Sequence, residues 1–127
     1  MPEHDPQTLS EFCPRFHHAV ELIGRRWTGA IVRAMLAHVA RFSEIAATVP
    51  GLSDRLLSER LKELESEGLV ARNVIPDIPV RVEYHLTAKG LALAPAIEAL
   101  SAWAERWLPL EDHVPAETPP ALAAADR

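Results

Sequence analysis

Pro50-Gly51-Leu52-Ser53-Asp54-Arg55-Leu56-Leu57-Ser58-Glu59-Arg60-Leu61-Lys62-Glu63-Leu64-Glu65-Ser66-Glu67-Gly68-Leu69-Val70 is the stretch that decides how this chain folds. Pro50-Gly51 makes a tight turn. Ser53 is a strong helix N-cap, and Asp54 puts a negative charge in the first turn, where the helix dipole favours one. Stepping 100° per residue from Ser53 places Leu57, Leu61 and Leu64 at roughly 40°, 80° and 20°, a stripe that must be buried, with Leu56 widening it. Arg55, Ser58, Glu59 and Lys62 fall on the other side, between roughly 140° and 240°. Arg60, at roughly 340°, sits among the leucines and is expected to pair with a carboxylate at the protein surface. Gly68 closes the helix, and Leu69-Val70 begins a segment of a different period.

Reading outward, a short helix is expected from Ser43, with Glu44 behind it, Ile45 and Val49 facing inward, and Pro50-Gly51 as its stop. A longer helix is expected from Trp27 or Thr28 to His38, carrying Ile31, Met35 and Leu36, with Trp27 as a core anchor. Before it, Cys13-Pro14 opens a first helix in which Phe16, Val20 and Ile23 recur at helical spacing until Gly24. Downstream, Leu69 to Ile75 is rich in β-branched residues, and Val80, Val82, Tyr84 and Leu86 alternate with polar neighbours. Pro76-Asp77-Ile78-Pro79 between them reads as a loop, so the two strands form a hairpin. Thr87 then caps a last helix through Leu91, Ile97, Leu100, Trp103 and Trp107, which Pro95 should kink near its middle. Residues 1–11 read as a flexible arm, 12–108 as the domain and 109–127 as a disordered Pro- and Ala-rich tail.

Helix, helix, short helix, tight turn, helix, hairpin, long helix is a mainly α fold with a small β-hairpin wing, the winged helix-turn-helix. In such a pair the second helix can enter the major groove of duplex DNA, about 12 Å wide, with its first turns aimed at base edges. The expected DNA face is therefore Ser53, Arg55, Ser58, Glu59 and Lys62. Arg41, just before the short helix, is a candidate for a phosphate at that helix's N-terminus, and Arg81 on the wing is a second one. The net charge of −5 conceals a division: Arg25 to Lys89 holds ten basic and eight acidic side chains, the rest of the chain three and ten. A weakly basic centre between acidic flanks is compatible with a nucleic-acid partner, because the field near the phosphates matters more than the total. The acidic total leaves open an alternative, a winged-helix module that grips protein and not DNA.

Other function classes find no support. There is no paired-carboxylate cluster, no Ser-His-Asp arrangement and no glycine-rich phosphate loop, so an enzyme is not expected, nor a cofactor. A metal site is not expected either: Cys13 is the single cysteine, and the adjacent His17 and His18 point about 100° apart on a helix. No stretch approaches the roughly 20 apolar residues of a membrane span, and the first residues lack the pattern of a signal peptide, so a cytoplasmic protein is expected.

Cys13-Pro14, Leu22-Ile23-Gly24-Arg25-Arg26-Trp27-Thr28, Arg41-Phe42-Ser43-Glu44-Ile45, Leu57 to Glu65, Gly68-Leu69-Val70 and Pro79 to Thr87 together resemble the HxlR-type family of winged helix-turn-helix regulators. The resemblance spans Cys13 to Trp107. It departs from the family at Arg25, where a second glycine is usual, and at Val80, where a proline often stands. It implies a bacterial transcriptional regulator that binds a (pseudo)palindromic operator as a homodimer joined through its first and last helices. Those helices offer Phe16, Val20, Leu100, Trp103 and Trp107; the two tryptophans, four apart, share a face. It also implies sensing of electrophiles or oxidants through a cysteine near the N-terminus. Cys13 has a mechanism for that role: a thiol at a helix N-cap beside Arg15 has its thiolate favoured by the dipole and the cation. The operator, the regulated genes, the sign of regulation and any small-molecule effector are not written in the sequence.

Overall fold

The structure, a computed structural model, describes residues 10–110. The expected arm and tail therefore lie almost wholly outside the described residues. Within them run α1 (Pro14–Ile23), α2 (Thr28–Leu36), α3 (Phe42–Thr48), α4 (Asp54–Ser66), β1 (Val70–Ile75), β2 (Arg81–Leu86), α5 (Ala88–Leu91) and α6 (Ala94–Trp107). The strands form a two-stranded antiparallel sheet in which Val70 faces Leu86 and Ile75 faces Arg81.

The core follows from the apolar spacing. Ile31, Val32 and Met35 of α2 meet Ile45 of α3, and Leu57, Leu61 and Leu64 of α4 close over them. Leu69, Val70 and Ile97 complete the cluster from the wing and from α6. The three leucines of α4 are fully buried or nearly so, and each such side chain contributes about 1.5–3 kcal/mol of hydrophobic stabilisation. They fix the rotation of α4 about its own axis, and with it the direction of the opposite face.

Two glycines hold close approaches. Gly51 has φ +87, a left-handed conformation that a side chain would strain, and the Trp27 ring lies where a Cβ would press on it. At Gly90 a Cβ would run into the carbonyl oxygen of Leu69, so α5 can pack against the wing only with glycine there. Trp27 does pack on the core as expected, and itself adopts φ 77 at the N-cap of α2.

Several expectations need correction. The last helix is not kinked at Pro95 but broken: α5 ends at Leu91 and α6 restarts at Ala94, with Pro95 in its first turn. A proline ring clashes with the carbonyl four residues back, whereas in a first turn its missing N–H leaves nothing unsatisfied. α2 stops at Leu36, short of His38, which sits at φ 70. α3 starts one residue before Ser43, its N-cap being Arg41, whose backbone N–H donates to Glu44 Oε1 at 3.1 Å. Arg60 does meet a carboxylate as expected, the partly exposed Glu63 at 3.4 Å, but its own guanidinium is buried. It is only 7% exposed, and its Nε donates to the Arg26 carbonyl at 2.9 Å.

Candidate nucleic-acid interface

Ser53 caps α4 as its position demands, its Oγ accepting from the Leu56 N–H at 3.1 Å. The hydroxyl hydrogen remains available to donate to an anion beyond the helix end. Two residues on, Arg55 stands out from the surface, its side chain 82% exposed, and its Nη1 meets Glu59 Oε2 at 3.2 Å. Lys62 continues the exposed row, and Ser58 is half-buried beside it. The row is the face predicted from the periodicity, and the buried leucines behind it hold it outward.

The Arg55–Glu59 pair joins two largely exposed side chains. Such pairs contribute about 0–1 kcal/mol, little enough to be exchanged for a phosphate or a base edge. Arg81, at the start of β2 beside the hairpin loop, is likewise held loosely. Its guanidinium lies 3.4 Å from Asp77 and 3.7 Å from Glu83, both longer than the 2.7–2.9 Å typical of charge-assisted hydrogen bonds. Its Nε is buried without a hydrogen-bond partner.

Arg41 is positioned by a contact that local sequence signals do not reveal. The segment before α3 pairs against the free edge of β2: Tyr84 N donates to the Ala40 carbonyl at 2.8 Å, and Arg41 bridges to Glu83 in antiparallel fashion. The wing is thereby fastened to the start of the helix-turn-helix, and Arg41 and Arg81 come to one edge of the molecule through Glu83. Arg72, exposed on β1 opposite Tyr84, is a further wing cation that the sequence reading passed over.

Cys13 is exposed and is the N-cap of α1, making no capping hydrogen bond through its side chain. α1 has no buried residue at all. Phe16 is 70% exposed, and Phe12 and Val20 are exposed with it. Only its C-terminal end, through Leu22 and Ile23, packs on the core. On α6, Ile97 is buried while Leu100, Trp103 and Trp107 form an outward stripe, the two tryptophans 53% and 61% exposed. Among the described residues no group of three or more metal-ligating side chains comes together, and no helix is long and apolar enough to cross a membrane.

A short helix, a tight turn, a helix with a polar outer row and a flanking hairpin pinned to both define a winged helix-turn-helix, a class of DNA-binding protein. Residues 22–112 match the HxlR-like helix-turn-helix family, and the chain belongs to that family. It is 57% identical over 99 residues to YvaP of Bacillus subtilis, described as an HTH-type transcriptional regulator, covering 78% of this chain and 92% of YvaP. It is 42% identical over 102 residues to the HTH-type transcriptional regulator YodB of the same organism, covering 80% of this chain and 91% of YodB. The solved structure of reduced YodB superposes with a TM-score of 0.68 over 76% of this chain and 95% of that one. YodB has also been solved after diamide treatment and bound to quinone. These relatives are transcriptional regulators and not enzymes.

Proposed function

We propose that this transcription regulator binds a two-fold operator as a homodimer, each protomer laying α4 in the major groove and its wing on the neighbouring backbone. The observation that carries the reading is the outer row of α4, Arg55, Glu59 and Lys62, held away from the core by Leu57, Leu61 and Leu64 in a chain of this family. Arg55 would read a base edge, with Ser58 and Glu59 beside it. Ser53, Lys62, Arg41 and Arg81 would take phosphates. The exposed apolar faces of α1 and α6 support pairing of two copies through Phe16, Val20, Leu100, Trp103 and Trp107, because monomers rarely leave such patches open. A DNA partner supports a cytoplasmic location.

A response to oxidants is supported by the exposure of Cys13 at the head of α1 and by the treatment of the relative YodB with diamide and quinone. Diamide would take two electrons and two protons from the Cys13 thiol and a small thiol together, leaving a mixed disulfide on α1. A tenfold change in DNA affinity asks for only about 1.4 kcal/mol between the two forms.

A gel shift against the duplex upstream of the chain's own gene, over a salt series and with diamide plus a small thiol, tests both parts. Retarded complex that weakens as salt rises is expected, with an affinity altered by diamide in the wild type and not in Cys13→Ser. Absence of any complex at low salt would favour the protein-gripping alternative. An equal diamide effect in Cys13→Ser would remove the thiol from the response.

A further inference from the structure

We infer that the Gly24–Trp27 segment is a latch that sets the angle of the recognition helix relative to α1, with Arg25 and Glu63 as its positioning residues. The inference rests on the reading of α4 as the DNA helix and α1 as an assembly helix. Its grounds are the contacts around α4. The outer face of that helix carries Arg55, Glu59 and Lys62, while its C-terminal half is tied down on another side. Arg60 Nε donates to the Arg26 carbonyl at 2.9 Å. Glu63 Oε2 then serves two guanidiniums, Arg25 Nη1 at 2.8 Å and Arg60 Nη1 at 3.4 Å. A turn further on, Glu67 meets His18 of α1 at 3.3 Å.

The same segment grips the other end of the helix. Trp27 lies over Gly51, in the turn that launches α4, and Arg26 stacks its guanidinium on the Trp27 ring at 5.1 Å. Three consecutive residues between α1 and α2, Arg25, Arg26 and Trp27, therefore touch α4 at and beyond its middle and the turn before its start. Arg60 cannot let go cheaply, because a buried guanidinium that loses its partners is left uncompensated in a dry site. Since α1 meets the body mainly through its C-terminal end, a displacement of α1 arrives at Arg25–Trp27, with the exposed His18–Glu67 contact beside it, and is passed to α4 as a rotation. The latch thus fixes the separation and phase of two recognition helices once two copies are joined.

Half-site spacing is the property that tests it. One base pair inserted between half-sites moves them apart by about 3.4 Å and turns one by about 35°, which a rigid dimer cannot follow. A duplex selected by the wild-type protein from a randomised pool serves as probe, with versions one base pair longer and shorter and a single half-site. Glu63→Gln and Arg25→Gln should each reduce the preference for the selected spacing about fivefold, a coupling of the size seen for residues linking distant sites. Single-half-site binding should stay at the wild-type value in both, and so should the thermal midpoint of Arg25→Gln, since the Arg25–Glu63 pair is partly exposed; Glu63→Gln also takes a carboxylate from buried Arg60 and should lower its midpoint. Arg25→Lys, which keeps the charge, should recover most of the preference. Unchanged spacing preference in both Gln variants would overturn the latch, as would a parallel loss of half-site binding, which would mark mere loosening of the fold. A wild-type protein indifferent to spacing would instead sink the two-site reading itself, before any variant is made.

Discussion

Arg55 carries the sharpest residue-level consequence. Its side chain is exposed on the first turns of α4 and held only by Glu59, so docking can redirect it to a guanine edge without disturbing the core. Arg55→Ala should weaken operator binding by about 1–3 kcal/mol and relax the base preference at one position of each half-site. Titration against operators substituted at single positions would show it; an equal loss on operator and random duplex would demote Arg55 to a phosphate contact. Glu59 loses its partner in the same variant, and its lone carboxylate facing DNA adds to the loss. Arg60, five residues on, shows the other fate of an arginine on this helix. Its place among the leucines was legible, but its hydrogen bond to the Arg26 carbonyl was not. That bond spans 34 positions in sequence, and no local pattern announces a backbone carbonyl turned toward a helix.

The wing shows why elements were easier to read than their attachments. α4 was legible from cap to closing glycine because its stripe, its Ser53 cap and its turn residues all agree. β1 was legible from its β-branched residues, β2 from its alternation, and the hairpin from the proline-rich loop between them. The edge pairing of Ala40 and Arg41 with β2 was not, because a two-residue bridge has no period. The break between α5 and α6 was misread as a kink, since the helical spacing of apolar residues continues across it. For function the attachment matters most: a wing pinned to the start of α3 moves with the helix-turn-helix, so on the proposed reading its cations would meet the duplex in fixed register with α4. Arg81→Ala should therefore weaken binding to all sequences about equally and make the dependence of log affinity on log salt shallower by about one unit. An unchanged slope, measured by fluorescence anisotropy from low to moderate salt, would take Arg81 out of contact with the duplex.

At the scale of the whole molecule, the exposed apolar side chains include one set on the wing, Val74, Ile78 and Val80, and another on α1 and α6, Phe16, Val20, Leu100, Trp103 and Trp107. Trp103→Ala combined with Trp107→Ala should give a monomer mass by light scattering and lose operator binding, because one half-site cannot supply the affinity of two. A dimer mass in that double variant would place the seam elsewhere. α1 adds a consequence of another kind. A helix of ten residues with none buried has little of its own chain to hold it, and helices this short are marginal in water when isolated. Covered by a second copy, it is ordered by the act of assembly, and folding then obeys mass action. The melting temperature should climb as protein concentration is raised, and dilution alone should unravel α1 before the leucine core gives way. A cell that makes few copies would hold a regulator whose first helix, with Cys13 at its head, is frayed. If the proposed dimer and thiol response hold, abundance thereby becomes an input alongside any oxidant.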